Sequence, residues 1–347
     1  MGRGRRPYFL SAYNSLWQSD KDYSWMKLRN GSYKDYVPNH YHTGYLLVNY
    51  GYGQYGSDFW RKVTRNASAF KGVFYPFQKG IETFSKKSFK SFRQDAFNHY
   101  RQNIEQVKED KNKNETVTNY FFPQAVGGDT MVYLKESYRQ LPRFFLNAGG
   151  KEIKLNLRNI STENWLDYNS GKLAYTAYAT HARWSLVDYS NIIIYDLATG
   201  SEKQLTTKGK YFTPALAPGA NTLVAVFIND TLGTELHQLN TTDGALIKKI
   251  TPRDGSYFVH PQFVDSTQLV VGIRQQDGRM NLNLLSMVDG NSTPLTPPSL
   301  HTVGYPSLSG DSIFFTASYG GNDDIYYYSL GQKKLYRLTN AQTGSYY

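Results

Sequence analysis

The chain has 347 residues, no cysteine, and 39 Lys+Arg against 28 Asp+Glu, which excludes disulfides, thiol catalysis and cysteine–zinc sites. No apolar run approaches the roughly 18 residues that a membrane-spanning helix needs, and the charged start is followed by no apolar core of the kind a signal peptide carries. The basicity is lopsided: residues 1–115 hold 20 Lys+Arg and 10 Asp+Glu, residues 116–347 hold 19 and 18. Such asymmetry fits either a solvated helical surface or a polyanion partner.

Residues 1–39, rich in Arg, Tyr, Trp, Asn and Gly without a clear period, read as an irregular segment packed on something larger. From His40 to Tyr50 the apolar residues fall at helical spacing, and Gly51, Gly53 and Gly56 are expected to end the run. Ser57 is a candidate N-cap for a helix over 58–70, with Trp60 and Val63 facing inward. Pro76 starts a short helix. Ser88 caps a longer one whose stripe runs through Phe89, Phe92, Phe97, Tyr100, Ile104 and Val107. The charged stretch 108–115 reads as a linker and sets a domain boundary, giving an all-α domain over 1–115.

A four-part phrase then repeats. Each copy has a proline or tryptophan opening, two apolar strand-like runs around a Gly/Asp/Asn loop, and a close on Leu-Thr or Ile-Thr. The closes are Leu205-Thr206, Ile250-Thr251, Leu295-Thr296 and Leu338-Thr339, spaced 45, 45 and 43 residues, and the openings Pro214, Pro261 and Pro306 keep step. A period of about 40–45 residues built of short strands is that of a four-stranded propeller blade. Such a unit cannot bury its faces alone, so copies must pack side by side. Five units are expected, over about 120–160, 161–210, 211–254, 255–300 and 301–340, the second with an insertion-like stretch at 178–189. Gly344-Ser-Tyr-Tyr347 echoes the blade opening Gly255-Ser-Tyr-Phe258, so a sixth blade is expected to begin and be cut off. The fold class is therefore mixed: a small all-α domain followed by an all-β propeller over 116–347, read as incomplete at its C-terminus.

The last complete unit, Ile313 to Asn340, and the openings Thr213-Pro-Ala-Leu-Ala-Pro-Gly219 and Tyr305-Pro-Ser-Leu-Ser-Gly-Asp311 resemble the WD40-like (PD40) repeats of TolB-like six-bladed propellers. Ala220 departs from that pattern, standing where the family's turn has Asp or Gly. Upstream, Tyr41-His-Thr-Gly44-Tyr-Leu-Leu-Val48 and Tyr55-Gly56-Ser-Asp58-Phe-Trp60 resemble the C-terminal part of gluzincin metallopeptidases, the aminopeptidase-like, peptidase MA-type group. There a tyrosine at such a helix start donates a hydrogen bond to the developing oxyanion, and the resemblance assigns that role, as a relic, to Tyr41. A phenol suits it, being neutral at pH 7 and a good donor.

A zinc peptidase of this group needs His-Glu-x-x-His. None of His40, His42, His99, His181, His237, His260 and His301 is followed by glutamate. In that family the missing pieces lie upstream, so Met1 reads as an internal start and the chain is expected not to hydrolyse peptides. Zinc is implied only for a complete parent protein; no metal site and no cofactor are expected in this chain.

Other constellations have plainer readings. His40 and His42, two apart on a helix, point in different directions. His181, Arg183 and Trp184 are candidate binding residues at a propeller mouth, with an inter-strand network as the bland alternative. The acidic turns Asn322-Asp-Asp324 and Asp277-Gly278 have no calcium-loop spacing. Gly51-Tyr-Gly53-Gln-Tyr-Gly56 follows a helix rather than a strand, unlike a nucleotide loop, and no Gly-x-Ser-x-Gly occurs. The expected function is that of a catalytically incomplete piece of a cell-envelope metallopeptidase–propeller protein that binds protein or peptide. Periplasmic residence follows from the resemblance alone. A non-enzymatic TolB-like scaffold is the alternative, and polyanion binding by residues 1–115 the third; nucleic acid is not among the expected partners.

Overall fold

The computed structural model describes residues 9–69, 72–102, 116–184 and 186–341. The chain divides into two compact units, one helical and one of β-strands.

The helical unit contains α1 (Ser11–Gln18), α2 (Trp25–Asn30), α3 (His40–Tyr55), α4 (Phe59–Ala67), α5 (Pro76–Ser85) and α6 (Phe89–Arg101). The first two stand within the segment expected to be irregular before residue 39, of which 19–24 and 31–39 do lack helix and strand. In α1 the inward residues Tyr13, Leu16 and Trp17 do keep helical spacing, but Asn14 and Ser15 between them, with polar Ser11 and Gln18 at the ends, hide the stripe. Ser24 caps α2 by accepting from the Lys27 amide. α3 runs past its expected end at Tyr50, through Gly51 and Gly53, and stops at Gly56, whose φ is 84°. Gly51 is needed where it is, since a Cβ there would lie 2.6 Å from the Trp60 indole nitrogen. That nitrogen donates to the Val48 carbonyl at 2.7 Å, pinning α4 against α3. Asp58, rather than Ser57, sits at the start of α4. Ser88 caps α6 as expected, accepting from the Ser91 amide. Ile104, Val107 and the charged stretch lie outside the described residues. Tyr13, Leu46, Phe59, Trp60, Val63, Ile81, Phe92 and Phe97 make the core.

The β unit is five antiparallel four-stranded sheets, each a simple meander: β1 (Thr118–Gly127) to β4 (Lys151–Leu157), β5 (Leu166–Asn169) to β8 (Glu202–Gln204), β9 (Tyr211–Leu216) to β12 (Leu246–Ile250), β13 (Tyr257–Phe263) to β16 (Ser292–Pro294), and β17 (Val303–Ser309) to β20 (Lys334–Arg337). Strands β1, β5, β9, β13 and β17 follow one another at the centre. Among the described residues there are five blades; the expected start of a sixth, at 344–347, lies outside them. The insertion-like stretch is shorter than expected, because β6 (Lys172–Thr180) and β7 (Asp188–Asp196) pair up to Thr180↔Asp188, leaving 181–187 as the connection.

Strand alternation explains the stacking. On β6, Leu173, Tyr175 and Ala177 face the first blade's Val132, Leu134 and Phe144. Ala174 between them faces the third blade's Leu216, Leu223 and Ala225. A period of two thus divides one strand between two seams. Clusters around Val224, Leu236 and Val271, and around Val270, Ile313 and Phe315, fill the next two seams.

The repeated closing threonine has a defined task. Thr206, Thr296 and Thr339 each accept, at 2.9 Å, the amide of a third-strand residue (Ile192, Leu282 and Ile325) beside the end of the short fourth strand. The leucine before each one donates its own amide to the carbonyl of that same residue. Thr251, at the remaining close, is exposed and does not take part.

Candidate axial binding site

The first strand of each blade is an edge, with one row of backbone N–H and C=O groups turned toward the centre and needing partners. Side chains from the second blade supply them to the third. Alternate residues beginning just before β5 reach β9 and the turn after it in step. Glu163 accepts the Thr213 amide at 2.8 Å, and the Trp165 indole donates to the Pro214 carbonyl at 2.8 Å. Asp167 accepts the Leu216 amide at 2.6 Å and Asn169 the Gly219 amide at 3.2 Å. Asp167 also accepts from Gln262 of β13 at 3.1 Å, so one carboxylate ties three blades together.

The openings converge here. Phe122, Thr213, His260 and Tyr305 each precede a proline, and each has a left-handed backbone, φ 46–54°. In all four the pairing register slips at that point. A non-glycine residue in this region, next to proline, is strained, and such strain persists only where the surroundings impose it. The bulge turns these side chains to the axis. His260 and Tyr305 have ring centroids 4.0 Å apart, and Trp165 stacks on both, at 5.8 and 6.0 Å. Phe122 touches Trp165 at 5.2 Å and Tyr305 at 5.3 Å. His260 also approaches Gly304 so closely that a Cβ there would be 2.5 Å from its Nδ1.

Charge is buried beside this aromatic layer. Burial pushes the Glu163 carboxyl up to about 7, although bonds from Thr213 and Thr176 and the nearby Arg158 pull it down. Burial likewise raises Asp167 to about 6 and lowers His260 to about 4. Arg158, lowered by burial to about 10, lies over the Tyr175 ring at 4.6 Å and donates to the Glu163 and Trp165 carbonyls. Twelve buried side-chain polar atoms among the described residues lack a protein partner; five of them are here, on Arg158 (Nε and Nη1), Thr213 (Oγ1), His260 (Nδ1) and Gln262 (Oε1). Unmet donors and acceptors favour a polar ligand or ordered water in contact with them. Among the described residues no group of three His, Asp or Glu side chains is placed to hold a metal ion.

The residues singled out from sequence lie elsewhere. Tyr41 is the second residue of α3, 73% exposed; its amide donates to Asn39, and its ring packs on His40 at 4.4 Å. His181, Arg183 and Trp184 make a local turn in the β6–β7 connection. His181 Nδ1 accepts the amides of Arg183 and Trp184 at 3.1 Å, and the Arg183 guanidinium lies over the Trp184 ring. Among the described residues no hydrogen bond, ion pair or ring contact joins these three to Glu163, Trp165, Asp167 or His260. Sequence reasoning missed the two carboxylates and Gln262. The signal available was Glu163-x-Trp165-x-Asp167, an alternation at the position where the other units open on proline.

No family model and no curated protein matches this sequence. The β unit is a propeller. Among solved structures, the chain is similar to TolB from Acinetobacter baumannii, at 14% identity and TM-score 0.49, covering 60% of this chain and 50% of that one. It is similar to a puromycin-hydrolyzing peptidase from Mycobacterium tuberculosis, at 16% and 0.44, covering 64% and 46%. A putative TolB from Agrobacterium tumefaciens matches at 11% and 0.48, covering 64% and 80%. The chain spans about half the length of the first two.

Proposed function

We propose that the β unit is a protein- or peptide-binding module whose ligand is taken up at the centre of the ring. The observation that carries this reading is the gathering of unmet polar atoms and strained openings around one aromatic layer, while the seams between blades are filled mainly by apolar clusters, Arg158 entering one of them over Tyr175. The axial groups offer hydrogen bonds and ring faces but no activated nucleophile, so the chemistry is recognition. Peptides selected by display on the full chain should crosslink to a photoreactive residue placed at Gln124 or Ser307, each on a first strand beside an opening. Selected peptides that crosslink only from the outer strands β4, β8 or β12 overturn the reading.

The helical unit, on this proposal, is related to the C-terminal part of a gluzincin domain, in a protein of the cell envelope. The exposed start of α3 supports a relic role for Tyr41, since a donor to substrate must be reachable. The sequence has no His-Glu-x-x-His, so the chain is proposed to bind peptides without cleaving them; zinc-dependent turnover of a peptide panel refutes this part. No helix among the described residues is long and apolar enough to cross a membrane.

A further inference from the structure

The tip between α4 and α5 carries an apolar run that nothing in the helical core uses. Val73, Phe74 and Tyr75 are 88%, 73% and 67% exposed, and Phe77, just beyond Pro76, is 46% exposed. Consecutive exposed apolar residues oppose solubility, so they persist where they have a task. Tyr75 is held in a left-handed conformation, φ 53°, immediately before Pro76. The base of the tip is fixed rather than loose: the Phe77 ring stacks on Trp60, centroids 5.9 Å apart and 12° between planes.

That same indole forms one wall of a groove of about 540 Å³, lined also by Tyr52, Arg61, Thr64, Arg65 and Ser68. Arg61, Thr64, Arg65 and Ser68 follow one another at helical spacing along α4 and just past its end, putting two guanidiniums and two hydroxyls on one face. Among the described residues Arg61 pairs only with Asp58, both well exposed (77% and 54%), a bond that solvent readily exchanges. A third cation, Lys79, lies by the tip, since a Cβ on Gly72 would be 3.3 Å from its ammonium. The surplus of 10 positive charges in residues 1–115 points the same way.

We infer that this corner is a membrane-surface contact: Val73, Phe74 and Tyr75 enter the acyl boundary of an anionic bilayer while Arg61 and Arg65 hold lipid phosphate. An aromatic wedge beside cations is what an interfacial contact requires, with apolar insertion and headgroup attraction acting together. Side chains exposed to this degree project from the surface, which suits a fluid phase, and the cations beside them select its negative charge. The inference is independent of the axial reading and involves no membrane span.

The full chain is mixed with vesicles of phosphatidylcholine alone or with one third phosphatidylglycerol, and binding is followed by flotation. Binding is expected to the anionic vesicles only and to weaken with salt. Phe74→Ser with Tyr75→Ser, and separately Arg61→Glu with Arg65→Glu, should each lower partitioning by about tenfold or more. A Phe74→Trp variant should shift its emission to the blue on anionic vesicles. Equal binding of the variants, or no blue shift, overturns the inference. So does loss of binding to soluble polyglutamate in the arginine variant while vesicles remain unbound, which identifies a soluble acidic partner instead. Circular dichroism of each variant shows that the helices persist.

Discussion

Glu163→Gln tests the electrostatics of the propeller centre directly. Glutamine keeps an acceptor for the Thr213 amide and the Thr176 hydroxyl, so the exchange removes the charge and little else. The folded carboxyl titrates at about 7 against an ordinary 4.5, a difference equivalent to about 3 kcal/mol, which partial solvent access reduces to about 1–3 kcal/mol. Because the folded value is raised, the folded state binds the proton more tightly than the unfolded chain. The resulting stability is fully present below pH 4.5 and is lost as pH rises through 7. Urea unfolding from pH 4 to 8 should therefore show the variant more stable than the wild type by about 1–3 kcal/mol at pH 8, and matching it within about 1 kcal/mol at pH 4. His260 acts in the opposite sense in both proteins. Its value is depressed from 6.5 to about 4, so its contribution is present above 6.5 and lost as pH falls through 4, and it cancels in the comparison. If the variant is instead the less stable protein at pH 8 and equal at pH 4, Glu163 is ionised in the fold and sustained by Arg158, and the reasoning fails.

Asp167→Ala leaves the Leu216 amide and the Gln262 side-chain donor without an acceptor, and should cost about 2–4 kcal/mol in urea unfolding. Asp167→Asn, which retains one acceptor oxygen, should cost clearly less, and equal losses would count against the inter-blade tie. Gly244→Ala places a Cβ 2.3 Å from the Leu205 carbonyl oxygen at φ +76°, so a loss of more than about 2 kcal/mol is expected. Gly278→Ala, at φ +88° with nothing within 4 Å, should lose only about 1 kcal/mol. Similar midpoints for the two alanine variants would show that the seam yields to the added methyl.

Repetition, alternation and caps were legible in the chain because each is local. The Leu-Thr closes announced themselves by spacing, and three of the four threonines perform one identical bond, which is why the same pair recurs. Ser88 was readable because its side chain answers a backbone group three residues away, and the part of the α6 stripe through Phe92 and Phe97 because its spacing is that of the helix itself. The stripe of α1 was not, because its apolar residues are few and separated by polar ones, and only packing against α3 and α6 gives them a core. The continuation of α3 through Gly51 depended on an indole that arrives from the next helix.

The axial cluster was beyond the sequence for a stronger reason. Glu163, Trp165 and Asp167 resemble any half-buried strand opening until β9 is laid beside them, and Gln262 and His260 come from a blade nearly a hundred residues later. The linear chain thus marked out the five described blades and the bond that closes three of them, since those depend on neighbours in sequence. Which side chains meet at the centre, and which carboxyls lose their water there, was decided only when the first strands were brought together around one axis, because burial and unmet hydrogen bonds are properties of that assembly and of no single segment.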